Sequence, residues 1–340
     1  MNTIVPPQFT DIQQAWQRIR PHISTTPIVE SQLLNQWLGH RILFKAECMQ
    51  KIGAFKARGA CNAIMRLVEN DAKPSRIVAN SSGNHAQAVA WAAAQFNIPA
   101  TIYMPANVSQ VKAQATASYG AEVVLCEDRF SVDEQVEMAA KTEGTLWIPP
   151  YNHIDVICGQ GTATLEALHQ LDEVPDAVFG PCGGGGLLSG TLIAAKGVNP
   201  AIQVVGVEPL NANDAAESIR SGSIQKLSKP ADTIADGVRT PSIGALTFPQ
   251  IKQLDDFFEV EEEAIIYWTQ WLQHLLKLHM EPTCAMTMEG VSQWLKQQQQ
   301  TKTVLVIVTG GNIDQPTMRQ IWQHNCLDIT PEKRFNTTPC

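Results

Sequence analysis

Short apolar runs alternate with segments of helical period from about Arg41 to the C-terminal region. The runs predict strands over 42–46, 77–79, 100–104, 123–126, 146–148, 177–180, 204–207 and 304–308. The segments between them, such as 86–96, 111–119, 132–141 and 187–196, are long enough for helices. Strand–helix–strand repetition reads as parallel βαβ units, so the expected fold class is α/β. The run 304–308 is apolar on both parities, as a strand covered on both faces would be.

Two devices recur where these strands end. Proline follows at Pro105, Pro149, Pro150 and Pro209, and glycine opens the next turn at Gly53, Gly83, Gly183 to Gly186 and Gly310-Gly311. In open parallel sheets ligands gather at the carboxyl ends of strands. Four glycine-rich strand ends therefore predict one site built from distant segments. No solenoid repeat is evident. Gln297 to Gln300 reads as a solvated helix end, and the tail after Asp328 as loosely ordered.

A length of 340 residues exceeds one typical core and favours two domains, or one with a large insertion. Apolar residues make up 44%, enough to bury a core. The formal charge of -8 argues against a nucleic-acid partner, though a local patch could still take a phosphate. The eight cysteines show no C-x-x-C and no zinc-like spacing with histidine, and read as reduced thiols of a cytoplasmic protein. The first ten residues lack a basic segment followed by an apolar one, and no signal peptide or membrane span is expected.

Two segments suggest chemistry. Cys182 precedes Gly183, Gly184, Gly185 and Gly186, and Leu187 then opens a helical segment. Glycines let backbone N–H groups point at an anion, and a helix start adds partial positive charge. The plain alternative is a tight turn under close helix–sheet packing. Neither nucleotide motif fits: no Lys-Ser/Thr follows the glycines, and Ser189 stands where G-x-G-x-x-G would have its third glycine. The second segment is Gly53-Ala54-Phe55-Lys56-Ala57-Arg58-Gly59-Ala60. A lysine beside Phe55 and small residues is placed for partial burial, which lowers its pKa and suits it to Schiff-base chemistry. Taken alone, Lys56 reads as a surface lysine.

GAFKARGA, Asn80-Ser81-Ser82-Gly83-Asn84-His85, the Gly183–Gly186 loop and Thr309-Gly310-Gly311-Asn312 occur in the order and spacing of fold-type II pyridoxal-phosphate (PLP) enzymes. The chain resembles their serine/threonine dehydratase and serine racemase branch from about Ile23 to Asp314. The resemblance implies two parallel-sheet α/β domains of the tryptophan synthase β-like architecture. Residues 1–75 and 151–340 would form the larger, cofactor-binding domain, and 76–150 the smaller one with the substrate loop. It implies that Lys56 carries the cofactor beside Phe55, and that Gly183, Gly184, Gly185, Gly186 and Leu187 hold its phosphate. Asn84 would bond the 3′-oxygen and Thr309 would face the pyridine nitrogen. Ser81, Ser82, Asn84 and His85 would take the substrate carboxylate. Met280-Glu281-Pro282-Thr283-Cys284-Ala285 resembles the family's Glu-Pro-Ser/Thr segment, with Cys284 where a small residue is usual, a change that would reshape the site wall. Glu208, the Ala212 carbonyl and Asp214 match a Mg²⁺ or Ca²⁺ site of the racemase-like branch, and oxygen donors suit such hard cations. A homodimer is also implied.

By the same resemblance, the expected reaction is β-elimination from L-serine or L-threonine to a 2-oxo acid and ammonia. Lys56 would remove the Cα proton, with Ser82 on the opposite face. Because Ser82 returns a proton in the racemases, serine racemase is the alternative. Other β-hydroxy amino acids stay open: 3-hydroxyaspartate, phenylserine or a hydroxyectoine-pathway compound, with contacts sought at Arg129 and Cys284. A PLP-binding protein without turnover is a further reading, which the presence of Lys56 and the substrate loop disfavours.

Overall fold

The computed structural model describes residues 6–337, save the Arg129 side chain. Ten strands are present among them: β1 Ile28–Glu30, β2 Arg41–Ala46, β3 Arg76–Asn80, β4 Ala100–Pro105, β5 Glu122–Cys126, β6 Thr145–Trp147, β7 Ala177–Pro181, β8 Gln203–Pro209, β9 Asp256–Val260 and β10 Thr303–Val308. One sheet runs β1-β2-β10-β7-β8-β9, parallel except for the edge strand β1. The second runs β5-β4-β3-β6 and is wholly parallel. It is built from the middle of the chain, while the six-stranded sheet takes the segments on either side.

Each predicted strand coincides with one of these ten. Strand β10 lies centrally, with Val306 registered against Phe44 and Phe179, and Val304 to Val308 are all buried. That two-sided burial is why the run carries apolar residues on both parities. Periodicity missed β1 and β9. The first has three residues, and the second, Asp256-Phe257-Phe258-Glu259-Val260, interrupts its apolar residues with two acids. Neither carries an apolar run long enough to register.

The tail corrects one expectation. It is docked: Pro331–Thr337 is helical and packs against the Gln32–Leu38 helix. The Tyr267 hydroxyl and the Trp271 indole both donate to the Ile329 carbonyl, at 2.9 and 3.0 Å, and Arg334 pairs with Glu289 at 3.2 Å. Its composition hides this because the partners lie some 60 residues upstream on the Glu262–Leu276 helix.

The Lys56–Glu69, Ile154–Gln170 and Gly186–Val198 helices pack closely. At Gly161 and Gly190 the last two nearly touch: a Cβ on Gly161 would lie 2.7 Å from the Gly190 carbonyl oxygen. Beside them lies a fully buried charge cluster. Arg58 donates to Glu47 at 2.7 and 2.8 Å and to Glu166 at 2.9 and 3.2 Å. Lys45 donates to Glu166 at 2.6 Å and to the Thr26 carbonyl at 2.7 Å. Two cations thus meet two anions out of reach of solvent.

The seven described cysteines are free thiols; Cys340 lies outside the described residues. No helix among the described residues is long and apolar enough to cross a membrane.

Replacing Arg58 by Met should destabilise the apoprotein by about 3–5 kcal/mol in urea unfolding, because it strands the buried Glu47 carboxylate and leaves Glu166 with Lys45 as its only cation. Arg220→Ala, which breaks an exposed pair with Glu259, should cost about 1 kcal/mol or less. Equal costs for the two would refute the burial argument.

Candidate active site

Segments that follow β3, β6, β7 and β10 open onto one cavity of about 890 Å³. Lys56 stands at its floor, as the first residue of the Lys56–Glu69 helix. The turn before it is tightly sewn to the segment after β10. Phe55 N–H donates to Thr309 O at 2.9 Å, Gly311 N–H to Gly53 O at 3.0 Å, and Asn312 Nδ2 to Ile52 O at 2.8 Å. Ile52 has φ 59°, a left-handed conformation that a β-branched residue adopts only under strain. Gly53 follows at φ 70°. The Lys56 ammonium donates to Pro150 O at 2.7 Å and lies 5.2 Å from the Phe55 ring. Burial pushes its pKa down to about 8, against the pull of Glu281.

The glycine loop leads into the Gly186–Val198 helix. Gly185 has φ 84°, and a Cβ on Gly184 would overlap the Tyr151 ring. Thr247 Oγ1 donates to Gly184 O at 2.8 Å and Tyr151 donates to Ser242 O at 3.1 Å, so the loop is gripped from behind. The first-turn N–H groups have no partner inside the helix. A cradle of glycine N–H groups at a helix start fits a phosphate.

Ser81, Ser82 and Gly83 precede the Asn84–Gln95 helix and line the same cavity. Its opening N–H groups suit a carboxylate for the same reason. His85 is buried. Its Nε2–H donates to Ile148 O at 2.8 Å, and burial, then the Lys56 charge, drives its pKa down to about 3. It is therefore neutral and a poor proton donor.

Asn84 and Thr309 are brought together by a residue to which no role was given, Glu281. Asn84 Nδ2 donates to its carboxylate at 3.0 and 3.3 Å, and Thr309 Oγ1 at 3.3 Å. Asn312 Nδ2 in turn donates to Asn84 Oδ1 at 2.7 Å. Burial raises Glu281 to about 7, aided by Asp236 and opposed by Asn84, Lys112 and Thr309. The signal in sequence was an acid directly before Pro282 and a short helix. Cys284 is buried behind it, its thiol 3.0 Å from Glu281 O, and Thr283 lines the cavity instead. The Arg129 side chain lies outside the described residues.

Glu208, Ala212 and Asp214 lie apart from this cavity, at the end of β8. All three are buried. Glu208 accepts N–H bonds from Ala216 and Ala215 at 2.7 and 3.3 Å, while Asp214 Oδ2 has no partner. Burial raises Glu208 well above the usual carboxylate range and Asp214 to about 7. No group of three or more His, Cys, Asp or Glu side chains among the described residues could hold a metal. Two buried carboxylates, one with an orphan oxygen, still fit a hard cation completed by carbonyls and water.

A lysine at a helix start, a glycine cradle and a polar helix mouth around one cavity define a cofactor-dependent enzyme of the α/β class. Residues 19–310 match the family model described as pyridoxal-phosphate dependent enzyme, and the chain belongs to that family. It is 41% identical over 317 residues to the L-threo-3-hydroxyaspartate ammonia-lyase of Saccharomyces cerevisiae, covering 92% of this chain and 95% of that one. It is 41% identical over 316 residues to the serine racemase of Homo sapiens, covering 90% and 91%. The crystal structure of serine racemase from Dictyostelium discoideum superposes with a TM-score of 0.84 at 38% identity, covering 90% and 99%. The crystal structure of a T.th. threonine deaminase does so with a TM-score of 0.85 at 39% identity, covering 91% and 99%. The chain is an enzyme of this serine/threonine dehydratase-like group.

Glu281 yields a pH test on the apoprotein. Its folded pKa lies above the ordinary carboxylate value, so its stabilising contribution is present at low pH and lost as pH rises through about 7. Apoprotein Tm should fall from pH 5 to pH 8. Glu281→Gln should remove part of that slope, on the order of 3 kcal/mol at full swing. An unchanged slope in the variant would refute the assignment.

Proposed function

We propose that this enzyme performs β-elimination on a small L-β-hydroxy amino acid, with L-serine and L-threonine as substrates and a 2-oxo acid and ammonia as products. The observation that carries the reading is the convergence of Lys56, the Ser81–His85 loop and the Gly183–Gly186 loop on one cavity. Pyridoxal phosphate, when bound, supplies an electron sink for charge developing at Cα. Lys56 anchors it and takes the Cα proton; a pKa near 8 leaves neutral amine available at physiological pH. Gly183 to Gly186 and Leu187 hold the phosphate. Asn84 and Thr309 orient the ring, with Phe55 packed beside it, and Ser81, Ser82, Asn84 and His85 receive the substrate carboxylate. The elements of water leave from Cα and Cβ, and the released enamine tautomerises and hydrolyses. The four-stranded sheet acts as a small domain that carries the substrate loop. Ser82 serves the opposite face of the substrate, where racemisation returns a proton.

Elimination from L-threo-3-hydroxyaspartate is the second reading. Arg239 lines the cavity and is cationic, which a second carboxylate needs, and the yeast relative carries that name. Glu208, Ala212 and Asp214 would hold Mg²⁺ or Ca²⁺, relieving repulsion between two buried carboxylates. A homodimer completes the proposal on resemblance alone, and a cytoplasmic setting on the reading of the cysteines as reduced thiols.

Lys56→Ala should abolish the covalent lysine–cofactor chromophore and lower turnover by at least about 10²–10⁴. Near wild-type rates in that variant would sink the assignment. A panel of L-serine, L-threonine and 3-hydroxyaspartate, read as 2-oxo acid and D-serine, separates the readings. Oxo acid from hydroxyaspartate alone selects the second, and D-serine outpacing pyruvate selects a racemase.

Chelation should lower Tm. A cation at about 100 times its Kd stabilises the native state by roughly 2.7 kcal/mol. Asp214→Asn should abolish the response to added Mg²⁺ or Ca²⁺. A Tm insensitive to both chelator and cation would exclude the metal.

A further inference from the structure

Lys112 Nζ donates to Asp236 Oδ2 across the cavity, and both residues line it. Lys112 lies on the Gln110–Ser118 helix, which belongs to the four-stranded layer and packs against the Asn84–Gln95 helix. That second helix begins at the substrate loop. Asp236 heads the Asp236–Val238 turn of the other layer. Gly237 N–H donates to Thr283 Oγ1 at 3.0 Å, two residues past Glu281. Val238 lies against Gly183, whose Cβ would stand 3.1 Å from Val238 Cα. One ion pair therefore joins the element that backs the substrate loop to the turn that backs the phosphate loop and the Glu281 segment.

We propose that Lys112 and Asp236 form a latch that positions the Ser81–His85 loop over the cofactor cavity, making both of them positioning residues for the reaction. The inference rests on the substrate-loop reading above. A solvated surface pair would do nothing of the kind. This pair differs in two ways. Its side chains are only 16% and 34% exposed, which strengthens the attraction. Its two ends are mounted on elements that touch the two halves of the site, so the attraction is transmitted to the geometry that catalysis depends on. Both charges are also felt at Glu281, where Asp236 raises and Lys112 lowers the carboxyl pKa. The latch accordingly stands close to the acid that bridges Asn84 and Thr309. Arg239 is committed elsewhere, donating to Thr233 O through two nitrogens, so it does not substitute for Lys112.

The test uses the holoenzyme with Lys112→Asp, Asp236→Lys and the charge-swapped double variant. Four quantities are read: KM and kcat with the best amino acid of the panel, the lysine–cofactor absorbance, and amide hydrogen exchange over 110–118 without substrate. Each single change should raise KM about tenfold, with a smaller change in kcat, and should speed exchange over 110–118. The absorbance should stay as in wild type, since the cofactor anchor is untouched. The swapped pair should recover most of both losses, and Lys112→Arg should resemble wild type. Losses that simply add in the double variant, or singles that match wild type in both KM and exchange, overturn the latch. If the wild type turns over no amino acid, the functional reading fails separately. The exchange data then decide alone: protection lost in the singles and restored in the swap upholds the latch, and unchanged protection overturns it.

Discussion

Arg58 lies two residues after Lys56, out of contact with water, between Glu47 and Glu166. A guanidinium in that position is tolerable only if both carboxylates are present and held at hydrogen-bond distance. Lys45 neutralises the second half of Glu166, and Thr26 bonds both acids, through N–H to Glu166 at 3.1 Å and through its hydroxyl to Glu47 at 2.6 Å. The segment before β1, the end of β2, the lysine-bearing helix and the Ile154–Gln170 helix therefore have one mutual arrangement that leaves no charge stranded. The position of Lys56 follows from it. The same helix start is fixed from its other side by the backbone bonds from Phe55 to Thr309 and from Gly311 to Gly53.

Around that lysine the protein uses one device twice. The Gly186–Val198 helix and the Asn84–Gln95 helix both present first-turn N–H groups to the cavity, one suited to a phosphate and the other to a carboxylate. Such dipoles suit anionic groups even in a chain of net charge -8, beside the Lys56, Lys112 and Arg239 side chains that line the same cavity. Fixed backbone dipoles carry no net charge that would itself require balancing. The acids at the site follow a matching logic. Glu281 sits where burial and Asp236 raise its pKa to about 7 against the bonds from Asn84 and Thr309.

Several features were legible along the chain because they are local. Strands β2 to β8 and β10 announce themselves by apolar runs. The glycine loop announces itself by four glycines that an ordinary turn would not need, whereas Lys56 by itself reads as a surface lysine and is singled out only by the order of four motifs. Features that depend on distant partners were not legible in the same way. Strand β9 mixes acids with apolar residues because it is an edge strand, where Glu259 reaches out to Asn213 and Arg220. The C-terminal helix is held by Tyr267 and Trp271, and nothing within the tail itself records that. The role of Glu281 appears only when Asn84 and Thr309, from opposite ends of the chain, close on it.

The sequence by itself determined the α/β class, the alternation that builds parallel sheets and the identity of the lysine and glycine segments, since each is written in consecutive residues. The tertiary structure alone decided which charges face one another. It pairs Lys45 with Glu166 across 121 positions and Lys112 with Asp236 across 124, and it leaves Asp214 Oδ2 without a partner. The physical reason is that hydrophobic patterning is a property of a stretch of chain. The strength of a charge or a hydrogen bond is instead set by what surrounds it in space, where burial and an opposite charge a few ångströms away outweigh anything the neighbouring residues in sequence contribute.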